Sequence, residues 1–90
     1  MAFQTKQVTV GTAAVQVLAP MPNPAKVILH NGSKSSNEYI WFGGAATVTT
    51  STGAHLDNAD TYELTLSTGN QIWAVTDSGT KTLHVIWQVV

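Results

Sequence analysis

The sequence predicts an all-β protein, an antiparallel two-sheet sandwich, jelly-roll-like, built from about eight short strands. Three observations lead there. Apolar side chains recur with a period of two along nearly every segment, the spacing of a pleated strand with one face buried. Threonine and valine, stiff at χ1 and well suited to pleated surfaces, are abundant. Turn signals return about every eight to twelve residues, and no stretch reads as the helical crossover that parallel strands require.

The 90 residues are 43% apolar and 10% charged, enough greasy side chains for one core and too little charge for a disordered tail. A chain of this size hides roughly 60–65% of its unfolded surface, so a single domain is expected. Residues 8–90 are assigned to that β-sandwich, and residues 1–7, polar around Phe3, to a flexible N-terminal arm that orders on a partner.

Residues 4–10 alternate and run into Gly11-Thr12, a short turn, after which residues 13–18 continue with Val15 and Val17 on one face. These two strands are expected to form a hairpin. Pro20, Pro22 and Pro24 then break pairing, because proline lacks an N–H and restricts the residue before it, which marks a surface crossover. Residues 26–31 read as a third strand, 31–37 as a polar loop and 38–42 as an aromatic strand. Gly43-Gly44 makes a bend, and residues 47–50 read as a short strand. Residues 54–60 look irregular with Leu56 inward, and residues 61–66 alternate with Tyr62, Leu64 and Leu66 together. Turns at residues 67–70 and 77–79 flank a strand over 71–76, and residues 80–90 close as the longest strand.

Charge excludes several function classes. Four lysines and no arginine stand against five carboxylates, for a net charge of -1. Four dispersed lysines cannot displace counterions as a nucleic-acid surface must, so no nucleic-acid partner is expected. Without cysteine there is no disulfide framework, thiolate metal site or thiol nucleophile. The start carries no basic stretch followed by an apolar run, and no segment reaches membrane-spanning length, so a soluble chain with no membrane partner and no cleaved export signal is expected.

Chemistry-bearing residues are sparse. His30, His55 and His84 share no zinc-motif spacing, and Asp57-Asn58-Ala59-Asp60 lacks the glycine and distal glutamate of a calcium loop, so no metal and no cofactor are expected. Glu38 and Glu63 read as solvated carboxylates. No Gly-X-Ser-X-Gly elbow and no phosphate cradle occur, so no catalytic residue is assigned and a non-enzyme is expected; His55 and Asp57 would be the first residues to replace if turnover were found.

The last strand carries the interaction signal. Leu83, Val85, Trp87 and Val89 form a continuous core face, yet the other face, His84, Ile86, Gln88 and Val90, is too apolar for ordinary solvated surface. Either this strand is covered on both sides or it sits in a subunit interface. In 38–42 Ile40 and Phe42 oppose Tyr39 and Trp41, and a two-layer fold can take only one of those pairs into its core. The expected oligomer or partner interface is therefore Phe3, Trp41, His84, Ile86 and Val90.

Thr47-Val48-Thr49-Thr50-Ser51-Thr52-Gly53, Tyr62-Glu63-Leu64-Thr65-Leu66, Gly69-Asn70-Gln71-Ile72-Trp73-Ala74-Val75, Ser78-Gly79-Thr80 and Leu83-His84-Val85-Ile86, together with Val8-Thr9-Val10-Gly11-Thr12-Ala13-Ala14 and Val27-Ile28-Leu29-His30-Asn31-Gly32, resemble small β-rich structural proteins of tailed bacteriophages, of the head decoration or capsid auxiliary type. The proline crossover and the loop from Ser33 to Asn37 depart from that pattern. The resemblance implies a virion component made in the host bacterial cytoplasm and carried on the capsid surface, bound to the major capsid protein and commonly a homotrimer. The same small module also appears in head fibres and tail parts, so the alternative is a glycan- or receptor-binding module of a head fibre or tail, with Trp41 or Trp73 stacking on sugar.

Overall fold

The computed structural model describes residues 3–33 and 38–90. Among these residues eight strands are present: β1 Gln4–Val10, β2 Val15–Leu18, β3 Ala25–Asn31, β4 Ile40–Gly43, β5 Ala54–Leu56, β6 Thr61–Leu66, β7 Ile72–Val75 and β8 Lys81–Val89. They form two four-stranded antiparallel sheets in the orders β1-β8-β3-β6 and β2-β7-β4-β5. Of consecutive strands only β4 and β5 pair within a sheet, and every other connection crosses between sheets, which is the interleaving of a jelly roll. The expected fold class is the observed one.

The period of two does the sorting. Val10, Val27, Leu29, Leu83 and Val85 from the β1 sheet meet Val17, Ile40, Phe42, Ile72 and Ala74 from the β2 sheet in one core. Each fully buried valine, leucine or isoleucine contributes about 1.5–3 kcal/mol relative to an exposed one. Along β8 the inward phase is the expected one, with Leu83 and Val85 buried. Trp87 packs half-buried at the rim, where Lys6 Nζ lies 5.6 Å from its ring centre. Leu56 is buried as expected, although Ala54–Leu56 is a paired strand rather than irregular chain.

Two expectations fail for local reasons. Strands β1 and β2 are not a hairpin: β1 pairs with β8 and β2 with β7, in different sheets. A two-residue hairpin needs positive φ in its turn, and among the described residues only Ala59, Gly69 and Gly79 have it, so Gly11 cannot reverse the chain that way. Instead Gly11 O accepts from Thr76 N at 2.9 Å, fixing the chain as it steps between sheets. Residues 47–50 are not a strand either. Thr49 Oγ1 accepts from Ser51 N and Thr52 N, both at 3.2 Å, and Thr49 N donates to Thr52 Oγ1 at 3.0 Å, so local side-chain bonds replace a ladder. This loop folds onto the outside of the β2 sheet, where Val48 fills the space left by Gly43 and Gly53.

Buried polar groups act as clips. Asn31, fully buried, donates from Nδ2 to Glu38 O at 2.7 Å and Leu56 O at 3.1 Å, while its Oδ1 accepts from Ser33 N at 3.0 Å. The buried Lys81 ammonium is held 2.9 Å from Glu38 Oε2 and also donates to Ser78 O. Glu38 therefore serves an internal ion pair, not the solvated role expected of it. Residues 4–7, which the sequence places both in an arm and in the first strand, lie in β1, whereas Lys34, Ser35, Ser36 and Asn37 of the polar loop lie outside the described residues.

Candidate interaction surface

Alternation along β1, β8, β3 and β6 leaves a second set of side chains on the outside of the β1 sheet. The register aligns them in rows. Ile86 of β8 is flanked by Thr5 on β1 and Ile28 on β3, and Ile28 faces Glu63 on β6. One row away, Gln7, His84, His30 and Thr61 align in the same way.

The isoleucine row floors an open groove of about 360 Å³ whose walls include Phe3, Lys26, Glu63 and Gln88. Phe3 is 63% exposed and Ile86 37%, so the groove holds apolar surface left in water, and Val90, just past the end of β8, is 77% exposed. Lys26 Nζ and Glu63 Oε1, 3.8 Å apart and both well exposed, edge it with one charge of each sign. An exposed pair of this kind adds little stability, which leaves both charges free to exchange partners.

Of the five interface residues read from the sequence, the fold brings Phe3, His84, Ile86 and Val90 to this face. It does not bring Trp41 there, because β4 belongs to the other sheet. Two residues of the face escaped the sequence reading, Ile28 and His30. Their signal was the phase of β3: with Val27, Leu29 and Asn31 inward, Ile28 and His30 had to point out beside whichever strand paired with β3.

Trp41 lies on the opposite side of the sandwich, where its ring centre is 5.9 Å from those of both Tyr39 and His55. His55 Nε2, in the middle of β5, sits against Oδ1 of Asp57, the residue that follows the strand. On the same sheet Trp73 Nε1 donates to Gln71 Oε1 at 2.8 Å, and Gln16 Nε2 donates to the same oxygen at 2.9 Å. Among the described residues no group of three or more histidines and carboxylates is placed to hold a metal, and no helix is long and apolar enough to cross a membrane.

No protein-family model and no curated protein matches this sequence. Solved structures share its architecture at low identity. A chain of the disulfide-linked pili that form Bacillus endospore appendages superimposes with a TM-score of 0.62 at 9% identity, over 99% of this chain and 86% of the other. A cupin-2 domain protein from Shewanella frigidimarina gives 0.51 at 12% identity, over 98% and 71%. A periplasmic inhibitor of g-type lysozyme from Aeromonas hydrophila gives 0.50 at 10%, over 99% and 85%. These likenesses show a shared jelly-roll-like β-sandwich fold, and a fold alone carries no function.

Proposed function

We propose that this protein is a non-enzymatic structural component of a tailed-phage virion, a decoration protein that assembles as a trimer and seats on the major capsid protein. The resemblance of its turn and strand motifs to that group supports the reading. The observation that carries it is the outer face of the β1 sheet, where Phe3, Ile28, Ile86 and Val90 leave apolar surface between exposed charges of both signs. A decoration protein bridges neighbouring shell subunits, so several weak contacts must break together, and multivalency makes the clamp durable. A net charge of -1 keeps repulsion between crowded copies small.

Analytical ultracentrifugation, with co-sedimentation on capsids of the encoding phage, tests this. The wild-type chain is expected to sediment as a trimer and to pellet with capsids. Ile86→Glu, at an outward position, should keep the fold and lose both. A stable monomer without capsid affinity would overturn the proposal.

A second reading rests on the other side of the sandwich. Tyr39, Trp41 and His55 cluster there beside Asp57, and Trp73 is framed by Gln16 and Gln71. Aromatic faces beside amides and a carboxylate suit a sugar ligand, as a glycan-binding module of a head fibre or tail would need. Glycan-array binding that disappears in Trp41→Ala would favour this reading, and absent or unchanged binding would remove it.

A further inference from the structure

His30 and His84, remote in sequence, face each other directly across β3 and β8 on the outside of the β1 sheet. Their ring centres are 5.8 Å apart and the ring planes are inclined by 51°. An ion held about 2.1 Å from one nitrogen of each of two imidazoles sets their ring centres about 5 Å apart, about 1 Å less than the spacing seen here.

The surroundings of the pair favour ligation. Thr61 Oγ1 lies 3.0 Å from His30 Nδ1. With the hydroxyl accepting, Nδ1 keeps the proton and Nε2 presents its lone pair, the arrangement by which an outer hydrogen bond orients a metal-binding histidine. His84 is half-buried and has no hydrogen-bond partner among the described residues. Its ring leans over Gly32, where an added Cβ would stand 2.4 Å from Nε2, so the missing side chain is what admits the ring. Gln7, registered with His84 on the far side, carries an amide oxygen in the same row. On the β1 side an open depression lined by Thr5, Lys6, Gln7, His84, Val85 and Ile86 leaves the His84 ring reachable from solvent.

We propose that His30 and His84 form a two-histidine site for a divalent transition-metal ion of the zinc and nickel class, with Thr61 as a positioning residue and water in the remaining coordination places. Paired neutral imidazoles select such ions over calcium and magnesium, which take oxygen ligands. The site needs only one chain, so it stands apart from the virion role.

The test uses the full chain without a histidine tag. Calorimetric titration with zinc chloride should show one ion per chain, and magnesium chloride no binding. His30→Ala and His84→Ala should each weaken zinc at least tenfold, and Thr61→Val about tenfold through lost orientation of His30. His55→Ala should leave the affinity unchanged. Imidazole NMR of the wild type needs no variant: zinc should move the His30 and His84 resonances and spare His55. No saturable zinc binding, an affinity indifferent to His30→Ala or His84→Ala, or resonance shifts confined to His55 would each overturn the site.

Discussion

Two glycines separate close packing from mere permissiveness. A Cβ on Gly53 would stand 2.9 Å from Val48 Cγ2, 3.0 Å from Trp41 Cβ and 3.1 Å from Phe42 O, and the last two cannot swing aside. One on Gly11 would meet nothing within 4 Å, and φ there is not positive. Gly53→Ala should therefore cost about 1–3 kcal/mol by overpacking, whereas Gly11→Ala should be neutral or stabilise by up to about 1 kcal/mol by restricting the unfolded chain. Urea midpoints measure both, and equal values would contradict this account of the Val48 contact. The sequence marks all these glycines alike as bends. What distinguishes them is a side chain arriving from elsewhere in the fold.

At the scale of an element, the loop between β4 and β5 shows how local chemistry overrides composition. Residues 47–50 are β-branched and read as a strand, yet the Thr49 hydroxyl accepts two backbone N–H groups and lies 3.1 Å from that of Thr52. Thr49→Val keeps the shape and removes those acceptors. The expected loss is about 1 kcal/mol, since a typical hydrogen bond is worth about 0.5–1.5 kcal/mol net and two solvent-exposed ones fall at the low end. Hydrogen exchange should accelerate at Ser51, change less at Thr52, whose N–H also donates to Thr49 O at 3.2 Å, and stay slow at Phe42 in β4; unchanged exchange at Ser51 would show that something else holds the loop. Strand β8 is the contrary case. Its length and its inward residues were legible, because nine residues of unbroken alternation leave no local competitor.

For the whole molecule, the pairing of β1 with β8 joins Gln4 to Trp87 and so ties the two ends of the chain together. Closing so long a loop costs entropy before its contacts form, so refolding should take milliseconds to seconds, as in other sandwiches of non-local pairing. Stopped-flow tryptophan fluorescence reads this directly, and refolding in microseconds would show that local contacts dominate. The same architecture places two unlike surfaces back to back, an apolar groove with a histidine pair on the β1 sheet and an aromatic cluster on the β2 sheet. In sequence Trp41 and Ile86 group together because both are surplus to the core, and Phe3 joins them as the one aromatic of the N-terminal arm. The sandwich puts its own thickness between them.

By itself, the sequence determined the class of structure, the phase of most strands and which side chains the core would leave over, because a period of two assigns each residue to a face whatever its neighbours are. The tertiary structure alone decided which strands are neighbours, and hence that Ile28 joins Ile86, that His30 meets His84 and that Glu38 neutralises Lys81. Alternation repeats identically along every strand and carries no address for a partner. Partners are chosen by the burial and loop closure of the whole chain at once.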